Sequence, residues 1–270
     1  GVKDRLEGAG VATVAADLLD RSCYAGLPKV RNVYYLVGMK FGTTGKQALT
    51  WAMNSYLPGM VAEHYRASRM VFLSTGNVYP FVAVEKGGPT EEDEVGPVGE
   101  YAQSCLGRDL ICRYFSEKNS TAMTVVRLNY ANEPRYGIIV DLAMRILHDE
   151  PIDLQVPAVN LIWQRDANDY IARAITLAGC PPRLLNVTGA EIIMVRDLAG
   201  RIGRLVGREP RFVGEEGERA LLSDASRCME CLGRPQMSLD EMISMIIPWV
   251  SSGKRVLNKP TKYDVSDGKF

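Results

Sequence analysis

Two short apolar runs, each followed by a polar turn and then a long helical stretch, limit most sharply what this chain can become. RNVYYLV (31–37) ends at Gly38. MVFL (70–73), a strand over 70–74, runs out into Ser74, Thr75, Gly76 and Asn77. Neither run alternates apolar with polar residues, so both suit strands buried on two faces. VATVAA (11–16), ending at Asp17, and AMTVVRL (122–128) also read as strands. Residues 46–66 and 100–118 read as helices, with Pro58 and Gly59 marking an expected kink or break in the first. Residues 81–100 form a loop rich in glycine, proline and acid, and Glu91, Glu92, Asp93 and Glu94 suit a solvated turn. Strands alternating with helices of about ten residues or more indicate βαβ units. The fold class is therefore α/β, a doubly wound parallel sheet of Rossmann-like type.

From about residue 129 the spacing shortens. Residues 137–148, 166–178 and 195–206 read as helices, with short strands at 152–156, 159–164 and 184–188. Ser238 and Glu241 form a capping box that opens a helix reaching about 251. The expected organisation is a partial dinucleotide-binding domain over 1–128, then a smaller mixed substrate lobe over 129–252 interleaved with it. A polar tail over 253–270 is expected to pack loosely.

Composition removes several function classes. The 270 residues carry 32 basic and 32 acidic side chains, and this balance argues against nucleic acid or an anionic membrane as an obligatory partner. No apolar run is long enough to span a bilayer, and the opening residues lack the apolar core of a signal peptide, so a cytoplasmic protein is expected. Six scattered cysteines suit reduced thiols. Cys228 and Cys231 form the one CxxC pair, and without a second pair or a histidine pair no metal site is expected. His64 and His148 lack the neighbours of a Ser-His-Asp hydrolase.

Ligands of a doubly wound sheet bind at the carboxyl ends of its strands. Those ends carry Asp17, Gly38, Ser74, Thr75, Arg127, Leu128 and Asn129. No strand–glycine turn–helix unit precedes Val11. GMKFGTTG (38–45) follows a strand and precedes a helix, but Lys40 breaks a Walker pattern, and the next strand ends in Ser74 rather than a ribose-binding acid. It reads better as the loop after a later strand than as the pyrophosphate loop.

VFLSTGNVY (71–79) and YAQSC (101–105) carry a resemblance. Together with VATVAADLLD, VYYLVG, VRLNYANEPRYG, DANDYIARAI and LLNVTG, they resemble the extended short-chain dehydrogenase/reductases, specifically the NAD-dependent epimerase/dehydratase family, over roughly 10–250. The resemblance implies NAD or NADP as cofactor, a nucleotide sugar or related polar small molecule as substrate, and a homodimer through 46–66 and 100–118. Thr75 matches the catalytic Ser/Thr, Tyr101 the catalytic tyrosine and Asn54 the helix-four asparagine. Asp17 and Leu18 take the adenine-side place. Leu36, Val37, Gly38, Leu73, Ser74, Leu128 and Asn129 line the cofactor path. Gly76, Asn77, Tyr79, Arg135 and Trp163 fall at the substrate.

Two departures follow from the same resemblance. The family's first βαβ unit, with its glycine turn, is expected to be missing from the chain. Cys105 stands where the family has the lysine that lowers the tyrosine pKa. A free tyrosine titrates near about 10, so at neutral pH an unaided phenol is rarely ionised. Arg108, one turn beyond Cys105 on a similar face, is a candidate substitute cation, with Lys40 and Lys46 behind it; a solvated surface arginine is the plainer alternative. Three functional readings result: a hydride- and proton-transferring epimerase, dehydratase or oxidoreductase; a catalytically impaired binding or regulatory protein of the same fold; or a structural or partner-binding subunit with no cofactor.

Overall fold

The run over 70–73 is buried on both faces and satisfies its backbone through neighbouring strands, whereas RNVYYLV, expected to be buried likewise, lies at the sheet edge with Tyr34, Leu36 and Val37 exposed. The computed structural model describes residues 1–268. Its central sheet has four parallel strands in sequential order: β1 (Asn32–Tyr35), β2 (Arg69–Thr75), β3 (Met123–Leu128) and β4 (Arg183–Val187). The register sets Ser74 opposite Arg127 and Arg127 opposite Asn186, which places polar groups side by side within the sheet. Val71, Phe72, Val125 and Val126 are fully buried.

One face of the sheet carries α2 (Gln47–Trp51), α3 (Leu57–His64) and α4 (Gly99–Asn119), packed through Leu57, Val61, Phe72 and Cys112. The other face carries α6 (Gln164–Arg173) and α8 (Ser226–Leu232), packed through Ala167, Tyr170, Leu185 and Cys228. Helices on both faces of a parallel sheet make the Rossmann-like arrangement. A separate core joins α5 (Ile138–Leu147), α7 (Val195–Val206) and α9 (Leu239–Ser251), the last opened by the Ser238–Glu241 capping box. Strand β4 belongs to the second half of the chain yet completes the central sheet, so the two halves interleave. No described helix is long and apolar enough to cross a membrane, and no described cluster of His, Cys, Asp and Glu suits a metal ion.

Four further expectations need correction. Residues 11–16 are not a strand. Val11 and Val14 are exposed, and the chain turns at Asp17, whose carboxylate accepts the Leu19 N–H, so these residues join no ladder. Pro58 does not break the helical stretch. It sits at the first turn of α3, and a π-helical turn at Ala52–Tyr56 precedes it. Proline has no N–H to give the carbonyl four residues back, here Asn54, and a widened turn relieves the clash of its ring with that carbonyl. Glu91 is buried rather than solvated, because its carboxylate accepts the backbone N–H of Asn186 at 2.7 Å.

Nor does the tail pack loosely throughout: residues 253–260 are mostly exposed, but 261–268 are held against the body of the protein. Asp141 on α5 accepts the N–H and hydroxyl of Thr261 at 2.7 and 2.6 Å, Arg145 pairs with Asp264, and Tyr263 is 1% exposed. Gly268 lies against the start of α4, where Gly99 adopts φ +84° and a Cβ would run into the Gly268 carbonyl. Gly99→Ala is expected to lower stability by about 1–2 kcal/mol and to expose the tail to protease. Urea unfolding with limited proteolysis checks both; an unchanged midpoint and digestion pattern would show that this contact does not hold the tail.

Candidate active site

The carboxyl ends of β1, β2 and β3 open into a cleft of about 260 Å³. The chain leaves β1 through Leu36, Val37 and Gly38, leaves β2 through Leu73, Ser74 and Thr75, and leaves β3 at Leu128; all seven line the cleft. Helix α4 begins beside the end of β2, which brings Tyr101 to Thr75 across 26 residues of sequence. Both side chains line the cleft, close enough that the Thr75 hydroxyl bears on the Tyr101 phenol. The Thr75 hydroxyl also donates to Asn77 Oδ1 at 2.8 Å and accepts the Asn77 N–H, so the strand end is locked in a tight turn.

Asn54 is the hub of the wall behind this pair. It is wholly buried in the π turn. Its amide exchanges hydrogen bonds with the Met39 N–H at 2.7 Å and the Met39 carbonyl at 3.0 Å, and donates to Ser104 Oγ at 3.0 Å. The loop after β1 is thereby tied to α4. The Asn54 carbonyl, denied a donor by Pro58, accepts Arg108 Nε at 3.0 Å. Arg108 Nη2 reaches Asn54 Oδ1 at 3.0 Å, and Nη1 donates to the Leu73 carbonyl. Arg108 is 5% exposed, so it is not a surface arginine. A Cβ on Gly38 would lie 2.8 Å from its Nη2, so glycine lets the β1 loop close over the guanidinium.

The electrostatics follow from this packing. Burial pushes the Tyr101 phenol up; the neighbouring Cys105 adds to that, and the Arg108 charge and the Thr75 hydroxyl oppose it. Burial also pushes the Cys105 thiol up, so Cys105 stays neutral rather than acting as a thiolate beside the phenol. Cys105 packs with Val78 and Tyr79 behind Tyr101. A second polar layer lies deeper. Ser74 Oγ donates to Asp109 Oδ1 at 2.6 Å, Asp109 pairs with Arg127 at 2.9 Å, and Arg127 donates to the Tyr79 hydroxyl at 2.8 Å. Tyr79 in turn donates to Asn186 Oδ1 at 2.8 Å.

Several residues singled out from the sequence lie elsewhere. Asp17 is exposed, and Leu18 packs with Tyr24, whose hydroxyl donates to the Leu18 carbonyl; neither lines the cleft. Gly76 is buried against Asn129 and Ser223, and Asn129 donates to Asn160 and to the Leu221 carbonyl. Tyr79 and Arg127 are held in the deeper layer. Arg135 pairs with Glu133 beside the tail, and Trp163 is in the lobe core. The cleft instead gains Lys40, Tyr130, Tyr136, Gln164 and Thr261. Tyr130 has φ +40°, an uncommon conformation for a bulky residue and one that gathers at functional sites. The sequence carries no signal for that, and Tyr136 was adjacent to the arginine that drew notice.

No family model and no curated protein matches the sequence. Solved structures do match the fold. MoeE5 in complex with UDP-glucose and NAD is 15% identical, with a TM-score of 0.76 over 93% of this chain and 94% of that one. UDP-glucuronic acid 4-epimerase from Bacillus cereus, in complex with NAD, is 14% identical, with a TM-score of 0.76 over 94% of this chain and 86% of that one. RMD from Pseudomonas aeruginosa, complexed with NADPH, is 17% identical, with a TM-score of 0.76 over 93% and 96%. The chain thus has the Rossmann-like fold that these solved structures share.

Proposed function

We propose that this protein is a nicotinamide-dependent epimerase, dehydratase or related oxidoreductase acting on a nucleotide sugar, with NAD or NADP as cofactor. The observation that carries this reading is that Thr75 and Tyr101 line one cleft at the strand ends, backed by the buried Arg108 guanidinium. Relatives in fold bound to NAD, NADPH and UDP-sugars support it.

The strand ends fit the nicotinamide and ribose: Leu36, Val37, Leu73 and Leu128 offer apolar walls, and Gly38 leaves the backbone open. The adenine side is less furnished, since Asp17 and Leu18 stand outside the cleft and no described strand pairs with the free edge of β1. A bound nicotinamide supplies the hydride acceptor and donor. The chain's own residues do the rest. Thr75 holds the reacting oxygen of the substrate, and Tyr101 takes or returns its proton. Arg108, fixed by three acceptors, favours the phenolate by its charge.

Tyr101→Phe is expected to cut turnover by about 10²–10⁴-fold while leaving nucleotide affinity nearly unchanged. Because burial holds the phenol above its ordinary value, the phenolate fraction rises with pH throughout the neutral range. The oxidative half-reaction should therefore accelerate about tenfold per pH unit from pH 6 to 9 in pre-steady-state measurements. A flat profile would remove Tyr101 from the base role.

A second reading is favoured by Cys105 at the lysine position and by the raised phenol: a protein that binds the cofactor without turnover. Cofactor binding with no hydride exchange against a nucleotide-sugar panel would select it. We also assign a homodimer to the surface of the 47–64 helical stretch and α4, where Tyr56, Leu110 and Tyr114 are exposed, and a cytoplasmic setting consistent with six free cysteines. Leu110→Glu should then shift the sedimentation mass from twice 29.8 kDa to 29.8 kDa.

A further inference from the structure

Lys40 lies on the loop after β1, half-buried, on the side of the cleft formed by the second half of the chain. Its neighbours there are Tyr136, beyond β3, and Thr261, from the tail. Its ammonium makes a 3.5 Å contact with the Tyr136 hydroxyl and stands 5.7 Å from the Phe41 ring centroid. Both partners are neutral: burial pushes the Tyr136 phenol up to about 12. Among the described residues, no carboxylate comes within ion-pair distance of Lys40. Asp141 is the acid whose charge it feels, and that carboxylate accepts two hydrogen bonds from Thr261. Burial draws the Lys40 amine down from its ordinary value, the direction expected of a cation short of counter-charge.

A partly desolvated ammonium facing a ligand cleft without an anionic partner is costly unless the ligand brings the anion. We propose that Lys40 is an oxyanion-binding residue on the substrate side of this cleft, receiving a carboxylate or phosphate oxygen of the molecule held against Tyr101. This rests on the reading of the cleft as a nucleotide-sugar site. It deepens that reading, because it makes the charge of the substrate a determinant of binding. Two sources offer the same chemistry: an acidic group on the sugar, or the diphosphate that links sugar to nucleoside.

The test is calorimetric titration of wild type, Lys40→Met and Lys40→Arg with UDP, UDP-glucose and UDP-glucuronic acid, and separately with NAD and NADP. Lys40→Met should weaken sugar-nucleotide binding by about tenfold or more, Lys40→Arg should retain most of it, and the dinucleotide affinities should not move. A loss confined to UDP-glucuronic acid assigns the carboxylate; an equal loss for all three assigns the diphosphate. The proposal is overturned if Lys40→Met binds all three as wild type does, if it weakens NAD or NADP as much, or if wild type binds none of the three. Thermal unfolding of both variants separates a lost contact from a lost fold. Lys40-dependent sugar-nucleotide binding without dinucleotide binding would sink the cofactor reading and leave this one. Dinucleotide binding with Lys40 irrelevant would do the reverse.

Discussion

Arg108→Met is expected to abolish measurable turnover and to destabilise the protein by about 2–4 kcal/mol. Methionine keeps much of the aliphatic volume, so little cavity forms. What is lost is the donor set: the carbonyls of Asn54 and Leu73 are left buried without their guanidinium partner. Asn54 Oδ1 retains the Met39 N–H and costs less. The chemical effect is separate, because removing the positive charge raises the Tyr101 phenol further and should reduce the rate by about 10²–10⁴-fold. Arg108→Lys keeps the charge but cannot serve three acceptors in a fixed fork, so it should recover rate more than stability. Urea unfolding and pH–rate profiles on the three proteins check this. A stable, fully active methionine variant would show that Arg108 neither braces the cleft nor tunes the tyrosine.

The second large effect lies one layer deeper. Asp109 and Arg127 are each 5% exposed or less and 2.9 Å apart. Arg127→Met leaves the Asp109 carboxylate buried with the Ser74 hydroxyl as its remaining hydrogen-bond donor, and should cost about 3–5 kcal/mol. Asp109→Leu strands the guanidinium in the same way. The double variant removes both charges and should cost less than the sum of the two by about 2 kcal/mol or more. Strictly additive losses in denaturant unfolding would mean that the pair is not coupled. Because Ser74 lines the cleft and donates to Asp109, either single variant should also loosen the end of β2 and lower turnover.

Much of this was legible beforehand, for identifiable reasons. The runs around Phe72 and Val125 showed as strands because burial on two faces leaves uninterrupted apolar sequence; the run around Tyr35 is a strand too, but at the sheet edge with Tyr34 exposed. Thr75 and Tyr101 were marked by the family resemblance of VFLSTGNVY and YAQSC, and a strand end and the following helix start do meet at one edge of a parallel sheet. Arg108 read as either a cation for the site or a surface charge, and its burial excludes the solvated surface charge. The reason lies 54 residues earlier, in the carbonyl that Pro58 leaves free at Asn54, which no local pattern around Arg108 displays. Glu91 was hidden by its acidic neighbours, since one buried carboxylate in a charged run looks like the rest. Val11 and Val14 misled in the opposite direction: β-branched residues favour a strand, but only a partner strand makes one. The tail was misjudged because Thr261 and Tyr263 are isolated among polar residues, and their burial depends on Asp141 and Arg145 more than a hundred positions away.

The most direct test is calorimetric titration of NAD and of NADP against the protein, followed by mixing the bound form with nucleotide sugars while absorbance of the reduced nicotinamide is recorded. Binding of one dinucleotide in the micromolar range, with reduction that disappears in Tyr101→Phe, is the expected result. Failure of both dinucleotides to bind at millimolar concentration, or reduction that survives in Tyr101→Phe, would contradict the assignment of the Thr75–Tyr101 cleft as a nicotinamide-dependent active site.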